Sequence, residues 1–296
     1  MRKFCFFIIQ LFILTLTTSC SGSKNQKKEQ ILVSIPSYEK ILQSALGDRY
    51  EVLCVVPEGF NPHYFEVKPS DLKKIQNPRY FFGIHESFEP KLLETLQARF
   101  PEISYYDLLE SVPYNELESE NECHHNHAHH HHHHGLDDVD NHLWLNPRLM
   151  KLQLEYIKKK ISNLSTQEDS SFKAVFNQLD VLDENLKESL IPMQGKAILV
   201  SHPSFGYFCK EYGLVQISIE CEGKQPMPKD LENLAQRLNQ SPILCVLAQA
   251  QFDQKGAVLI AKKLNKPIYS IDPYSKNYFE MLTELKNKIR EAYDTN

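Results

Sequence analysis

The chain has 296 residues, 33 Lys and Arg against 38 Asp and Glu, and a formal net charge of −5. That acidic balance argues against nucleic acid as a partner. The length fits one large or two medium domains, and the seven cysteines include no CxxC pair, which argues against a cysteine zinc knuckle.

The chain opens with Arg2 and Lys3, an apolar run from Phe4 to Leu16, and Thr17-Thr18-Ser19-Cys20. This is the pattern of a secretory signal. A cysteine after Thr-Thr-Ser resembles a bacterial lipobox, although Thr17 stands where such boxes carry Leu. The expectation is cleavage before Cys20 and acylation of its thiol, giving a lipoprotein anchored outside the inner membrane or held in the periplasm. The apolar run is shorter than the roughly 20 residues that span a bilayer. Losing Arg2 and Lys3 with the signal moves the formal net charge from −5 to −7. Residues 21–30 are polar and lysine-rich, as a tether should be.

Short apolar runs then alternate with helical patterns. Strands are expected at Ile31 to Ile35, Tyr50 to Val56, Tyr80 to Ile84 and Ile103 to Tyr106. Four more are expected at Ala197 to Ser201, Val215 to Glu220, Ile243 to Ala248 and Pro267 to Ile271. Helices are expected at Ser70 to Ile75, Glu89 to Phe100, Ser204 to Tyr212 (closed by Gly213), Lys229 to Asn239 (opened by Pro228), Gln254 to Leu264 and Phe279 to Tyr293. Between the groups, Pro147 to Leu164 reads as one helix. Thr166 with Asp169 can start a second, running to Leu190 with Phe172, Val175, Leu179, Leu182 and Leu186 on one side. At 1.5 Å per residue it is about 37 Å long, enough to run the length of two packed domains. The expected fold class is α/β: two lobes, each with a mainly parallel sheet flanked by helices, joined by one long rigid helix. The expected boundaries are a lobe over 31–165 with a His-rich loop at 116–140, the connecting helix over 166–191, and a lobe over 192–296.

Nine of the eleven residues from His124 to His134 are histidine: His124, His125, His127, His129, His130, His131, His132, His133 and His134. Imidazole is the commonest ligand for borderline transition metals, so the tract reads as an accessory metal-binding surface loop. A purification tag usually sits at a terminus, and this tract is internal. Glu116, Glu118, Glu120 and Glu122 precede it and Asp137, Asp138 and Asp140 follow, an arrangement that concentrates cations.

Four other histidines remain: His63, His85, His142 and His202. His63 follows the second expected strand and His202 ends the fifth, where open α/β sheets bind ligands. Asp272 ends the eighth. His142 lies two residues before the only tryptophan, Trp144. Three imidazoles and a carboxylate make a four-coordinate set suited to Zn²⁺. A single histidine after a strand is more often a surface or hydrogen-bonded residue, and Asp272 before Pro273 can equally start a turn. His85, beside Glu86, reads as structural or as part of a rim.

The contexts of these residues resemble a family. Pro57 followed by Asn61-Pro62-His63-Tyr64-Phe65-Glu66, then Asp140-Asn141-His142-Leu143-Trp144-Leu145-Asn146-Pro147, then Ser201-His202-Pro203-Ser204-Phe205-Gly206-Tyr207-Phe208, are similar to three segments of the metal-binding solute-binding proteins of ABC transporters, the zinc and manganese cluster. The resemblance covers residues 31 to 296. It implies two α/β lobes with a metal ion in the cleft between them, held by His63, His142, His202 and, as fourth ligand, Asp272 or water. It also implies a permease and its ATPase as partners; the chain is expected to be a monomer, anchored through the lipid on Cys20, and not an enzyme. Zinc-type members carry a His-rich insertion before the second ligand, and manganese members usually have Glu in place of His202. The expected cargo is therefore Zn²⁺, with Mn²⁺ or Fe²⁺ as the alternative. Asn141 stands for the usual Pro and Asn146 for the usual Asp. Other readings are a zinc hydrolase, for which no HExxH or GxSxG motif is present, and an adhesin or metal store in which the loop does the binding.

Overall fold

The structure, a computed structural model, describes residues 28–118, 139–220, 227–238 and 242–295. The signal segment, Cys20 and the tract from His124 to His134 lie outside the described residues.

Among the described residues, eight strands form two four-stranded sheets. The first contains β1 (Glu29–Val33), β2 (Tyr50–Cys54), β3 (Pro78–Gly83) and β4 (Ser104–Asp107) in the order β2-β1-β3-β4. The second contains β5 (Ala197–Val200), β6 (Val215–Ser218), β7 (Ile243–Gln249) and β8 (Ile268–Ile271) in the order β6-β5-β7-β8. Every pairing is parallel. All eight strands fall where the apolar runs predict them. The central strands are buried on both faces, which is why they read as unbroken apolar runs rather than alternating ones: all seven residues of β7 are buried. The two sheets have the same strand order although no repeat is visible in the residues. β1 begins at Glu29, two residues inside the span expected to be tether.

The helices are α1 (Pro36–Leu46), α2 (Glu89–Arg99), α3 (Pro147–Lys160), α4 (Thr166–Leu190), α5 (Gly206–Tyr212), α6 (Pro228–Leu238), α7 (Lys255–Leu264) and α8 (Tyr278–Thr295). Helix α1 is absent from the expectations, because the apolar run of β1 continues into it. Its ends are nonetheless marked by Pro36 in the first turn and by Gly47 at φ +61°. The stretch expected as a helix from Ser70 forms only a 3₁₀ turn, Asp71–Lys74, before β3 begins. Helix α3 stops four residues short of Leu164, and Asn163 turns the chain at φ +58°. The start of α4 is fixed by Ser165 and Glu168 rather than Thr166 and Asp169. Ser165 Oγ accepts from the Glu168 amide at 3.3 Å, and Glu168 Oε2 accepts from the Ser165 amide at 2.6 Å. Gly213 at φ +71° closes α5 as expected.

One hydrophobic core joins both halves. Ile31 and Phe82 from the first sheet, Phe172, Leu179 and Leu186 from α4, Ile198 and Leu247 from the second sheet and Leu282 and Leu285 from α8 belong to one buried cluster. Helix α4 packs on both α1 and α8, so it is the shared spine beneath the two sheets. Trp144, fully buried, locks the halves further: its Nε1 donates to the Pro273 carbonyl at 2.9 Å, and its own carbonyl accepts from Tyr278 Oη at 2.8 Å.

A candidate metal centre between the two sheets

The carboxyl ends of the strands in both sheets supply one site, as expected for doubly wound parallel sheets. His63 lies beyond β2 on the 3₁₀ turn Pro62–Tyr64, whose start is set by Asn61 Oδ1 accepting from the His63 amide at 3.0 Å. His202 lies two residues beyond β5. Gln249, at the end of β7, holds its main chain from both sides: Oε1 accepts from the His202 amide at 2.6 Å, and Nε2 donates to the His202 carbonyl at 2.9 Å. His142 precedes α3, with its ring centroid 5.2 Å from that of Trp144.

The structure brings these three histidines together. One nitrogen from each of His63, His142 and His202 lies within 4.8 Å of the others, and His63 Nε2 is 3.1 Å from His202 Nε2. Behind each ring stands a buried carboxylate. His63 Nδ1 lies 3.2 Å from both oxygens of Glu86, His142 Nδ1 lies 2.7 Å from Asp140 Oδ1, and His202 Nδ1 lies 2.5 Å from Glu220 Oε1. A carboxylate, when ionised, only accepts, and a ring that donates to it through Nδ1 presents the Nε2 lone pair on its other side. This is how metal-binding imidazoles are commonly oriented and made more basic.

Burial disfavours the protonated forms of His142 and His202. It drives the pKa of His142 down to about 3, with His63 adding to the effect, and that of His202 down to about 4 against the pull of Glu220. Burial pushes Asp140 up to about 7, partly opposed by the His142 amide that it accepts. His142 Nε2 is buried and has no hydrogen-bond partner among the described residues. An unpaired buried acceptor costs about 1–3 kcal/mol, and a divalent cation at the meeting point of the Nε2 atoms would satisfy it. The carboxyl groups of Glu86, Asp140 and Glu220 surround the three histidines, an arrangement that a divalent cation complements.

Asp272 is placed differently. It lies beyond β8, but it is not in the group of mutually close ligand atoms. Its Oδ1 accepts from Gln251 Nε2 at 2.6 Å and from the Tyr274 amide at 2.9 Å. Tyr274 instead reaches His63, with its hydroxyl 3.3 Å from His63 Nε2. His85 takes a rim position: its Nδ1 pairs with Asp107 at 2.6 Å, and its left-handed φ of +66° reverses the chain after β3 so that Glu86 enters the site. Asn141, the departure from the family's Pro, donates to Glu86 at 3.3 Å. Asn146, the departure from Asp, caps α3. Sequence reasoning missed Glu86, Glu220 and Gln249 as members of the site. The strand-end position that singled out His202 applies equally to Glu220 beyond β6 and Gln249 at the end of β7.

The base of the His-rich segment is fastened to this site. The Asp140 amide donates to the Glu118 carbonyl at 2.9 Å, the Glu118 amide donates to Tyr207 Oη at 3.0 Å, and Tyr207 Oη donates to the Asp140 carbonyl at 2.8 Å. Asp140, expected as part of the loop, is thus a buried wall of the centre.

A family model described as "ZnuA: Zinc-uptake complex component A periplasmic" matches residues 31–292. The chain belongs to this family. It is a metal-binding solute-binding protein of an ABC transporter, an extracytoplasmic binding component rather than an enzyme. Components of this kind work with a membrane permease and an ATPase. A Chlamydia trachomatis protein named for metal binding is 25% identical over 281 residues, 93% of this chain and 96% of its own. The manganese ABC transporter substrate-binding lipoprotein PsaA of Streptococcus mitis is 26% identical over 316 residues, 97% of each chain. A crystal structure of ZnuA superposes with a TM-score of 0.77 at 29% identity, covering 90% of this chain and 99% of that one. No helix among the described residues is long and apolar enough to cross a membrane.

Proposed function

We propose that this family member captures Zn²⁺ through His63, His142 and His202 and delivers it to a membrane permease. The observation that carries the reading is the convergence of three imidazoles, each with a carboxylate on its far nitrogen. An all-nitrogen set from the protein suits zinc better than the oxygen-preferring Mn²⁺. The manganese lipoproteins among the relatives give the second reading, capture of Mn²⁺ by the same residues. The fourth place belongs, on the sequence reading, to Asp272 or to water.

His63 and His142 belong to the proposed lobe over 31–165 and His202 to that over 192–296. A small shift of one lobe against the other on docking therefore loosens the ion. The spine formed by α4 opposes wide opening. The tract from His124 to His134 collects zinc weakly and raises its concentration beside the cleft. A lipid on Cys20 tethers the monomer to the membrane.

The test is competition between Zn²⁺ and Mn²⁺ for the purified protein and for a variant lacking residues 124–134. The expected result is a zinc preference that survives the deletion. A manganese preference supports the second reading, and loss of all tight binding on deletion moves the function to the loop.

A further inference from the structure

We infer that the hydroxyl oxygen of Tyr274, rather than the carboxylate of Asp272, supplies the fourth contact to the captured ion. This rests on the reading of His63, His142 and His202 as cargo ligands. Zinc–ligand distances of about 2.0–2.1 Å place neighbouring donors of a tetrahedron roughly 3.3–3.4 Å apart. From His63 Nε2, the His202 nitrogen lies at 3.1 Å and the Tyr274 oxygen at 3.3 Å. From His63 Nε2, the phenol oxygen therefore stands at the separation expected between two vertices.

Tyr274 is held in that place along its whole length. The residue is 2% exposed, and its ring lies against Trp144 with centroids 5.5 Å apart. Its amide donates to Asp272 Oδ1, and the preceding carbonyl, that of Pro273, accepts from Trp144 Nε1. Asp272 thus builds the turn that carries Tyr274. Its Oδ1 is already shared between that amide and Gln251.

The exchange on binding is simple. In the metal-free protein the phenol hydroxyl lies against His63 Nε2, and Glu86 lies against the Nδ1 of the same ring. An arriving dication takes the Nε2 lone pair, the phenol hydrogen turns aside, and the oxygen lone pair faces the ion. No O–H bond breaks. The donor set becomes three nitrogens and one neutral oxygen, poor in the anionic oxygens that suit Mn²⁺.

The experiment uses the exported chain and its Tyr274→Phe, Asp272→Asn and His63→Ala variants. Phenylalanine keeps the ring against Trp144, and asparagine keeps an acceptor for the turn. Zinc affinity is read by chelator competition, and the visible spectrum of the Co²⁺-loaded protein reports the ligand set. Tyr274→Phe is expected to weaken zinc binding by about 10- to 100-fold and to shift the Co²⁺ bands, and Asp272→Asn, which acts only through the turn, to weaken it less. Near-ultraviolet circular dichroism of the metal-free variants checks that the fold is intact. If Tyr274→Phe loses its fold, the ultraviolet difference spectrum of the parent on zinc addition decides: a perturbed buried phenol supports the inference, and its absence overturns it. Parent-like affinity and spectrum in Tyr274→Phe, or the loss appearing in Asp272→Asn instead, also overturn it. Tight binding that survives His63→Ala contradicts the ligand reading itself, a distinct outcome.

Discussion

His63 and His202 follow strands of different sheets, yet their Nε2 atoms stand 3.1 Å apart. Two imidazole lone pairs at that distance repel unless a proton or a cation lies between them. Glu86 and Glu220, each on the far nitrogen of its ring, hold both lone pairs inward. The candidate site therefore draws on both halves, and under the proposed function cargo binding is sensitive to how those halves sit.

The carboxylates behind the rings should matter almost as much as the rings. Glu220→Gln keeps the shape but removes the charge that polarises His202. We expect zinc affinity to fall by about 10- to 100-fold while the fold survives, and Glu86→Gln to act in the same range through His63. Isothermal titration checks this; parent-like affinity in both variants would show that the pairs are only structural.

The pH dependence follows from burial. His142 and His202 are lowered from 6.5 to about 3 and about 4, so their contribution is present above pH 6.5 and lost as pH falls towards those values. Asp140 is raised from 3.8 to about 7, so its contribution is present below 3.8 and lost as pH rises through about 7. Between about pH 4 and 6.5 the unfolded chain binds two more protons at the histidines and one fewer at Asp140. Metal-free stability should therefore fall by about 1.4 kcal/mol per pH unit on acidification, from these groups. With zinc bound, Asp140 ionises beside the cation and the fall steepens. Denaturant unfolding with chelator and with zinc, from pH 7 to 4.5, measures both slopes; a flat metal-free profile contradicts the burial assignment.

The shared core makes a prediction about cooperativity. Phe172 on α4 is fully buried in the cluster that joins both sheets. Phe172→Ala should cost about 3–5 kcal/mol. Loss of Trp144 fluorescence and of far-ultraviolet dichroism should still coincide, because the halves unfold as one unit. Two separated transitions would show that the halves fold independently.

Much of this was legible in the sequence, for identifiable reasons. The central strands, buried on both faces, write themselves as apolar runs, and the half-buried edge strands β4, β6 and β8 still show as short runs rich in Val, Ile and Tyr. His63, His142 and His202 carry family contexts, and they meet. Pairings across the fold are not written in this way. Nothing near Glu220 in the chain says that it will face His202, eighteen residues earlier, and Asp140 reads as one more acid flanking the His-rich tract. Asp272 sits at a strand end like His202, but its carboxylate accepts from the Tyr274 amide and from Gln251, a partner that only packing brings to it.

The most direct test is the number of tight zinc sites per chain in the parent and in the His63→Ala/His202→Ala double variant, with the His-rich tract intact in both. The account predicts one tight site in the parent and none in the double variant, with only weak binding left. A double variant that retains a tight site would contradict it.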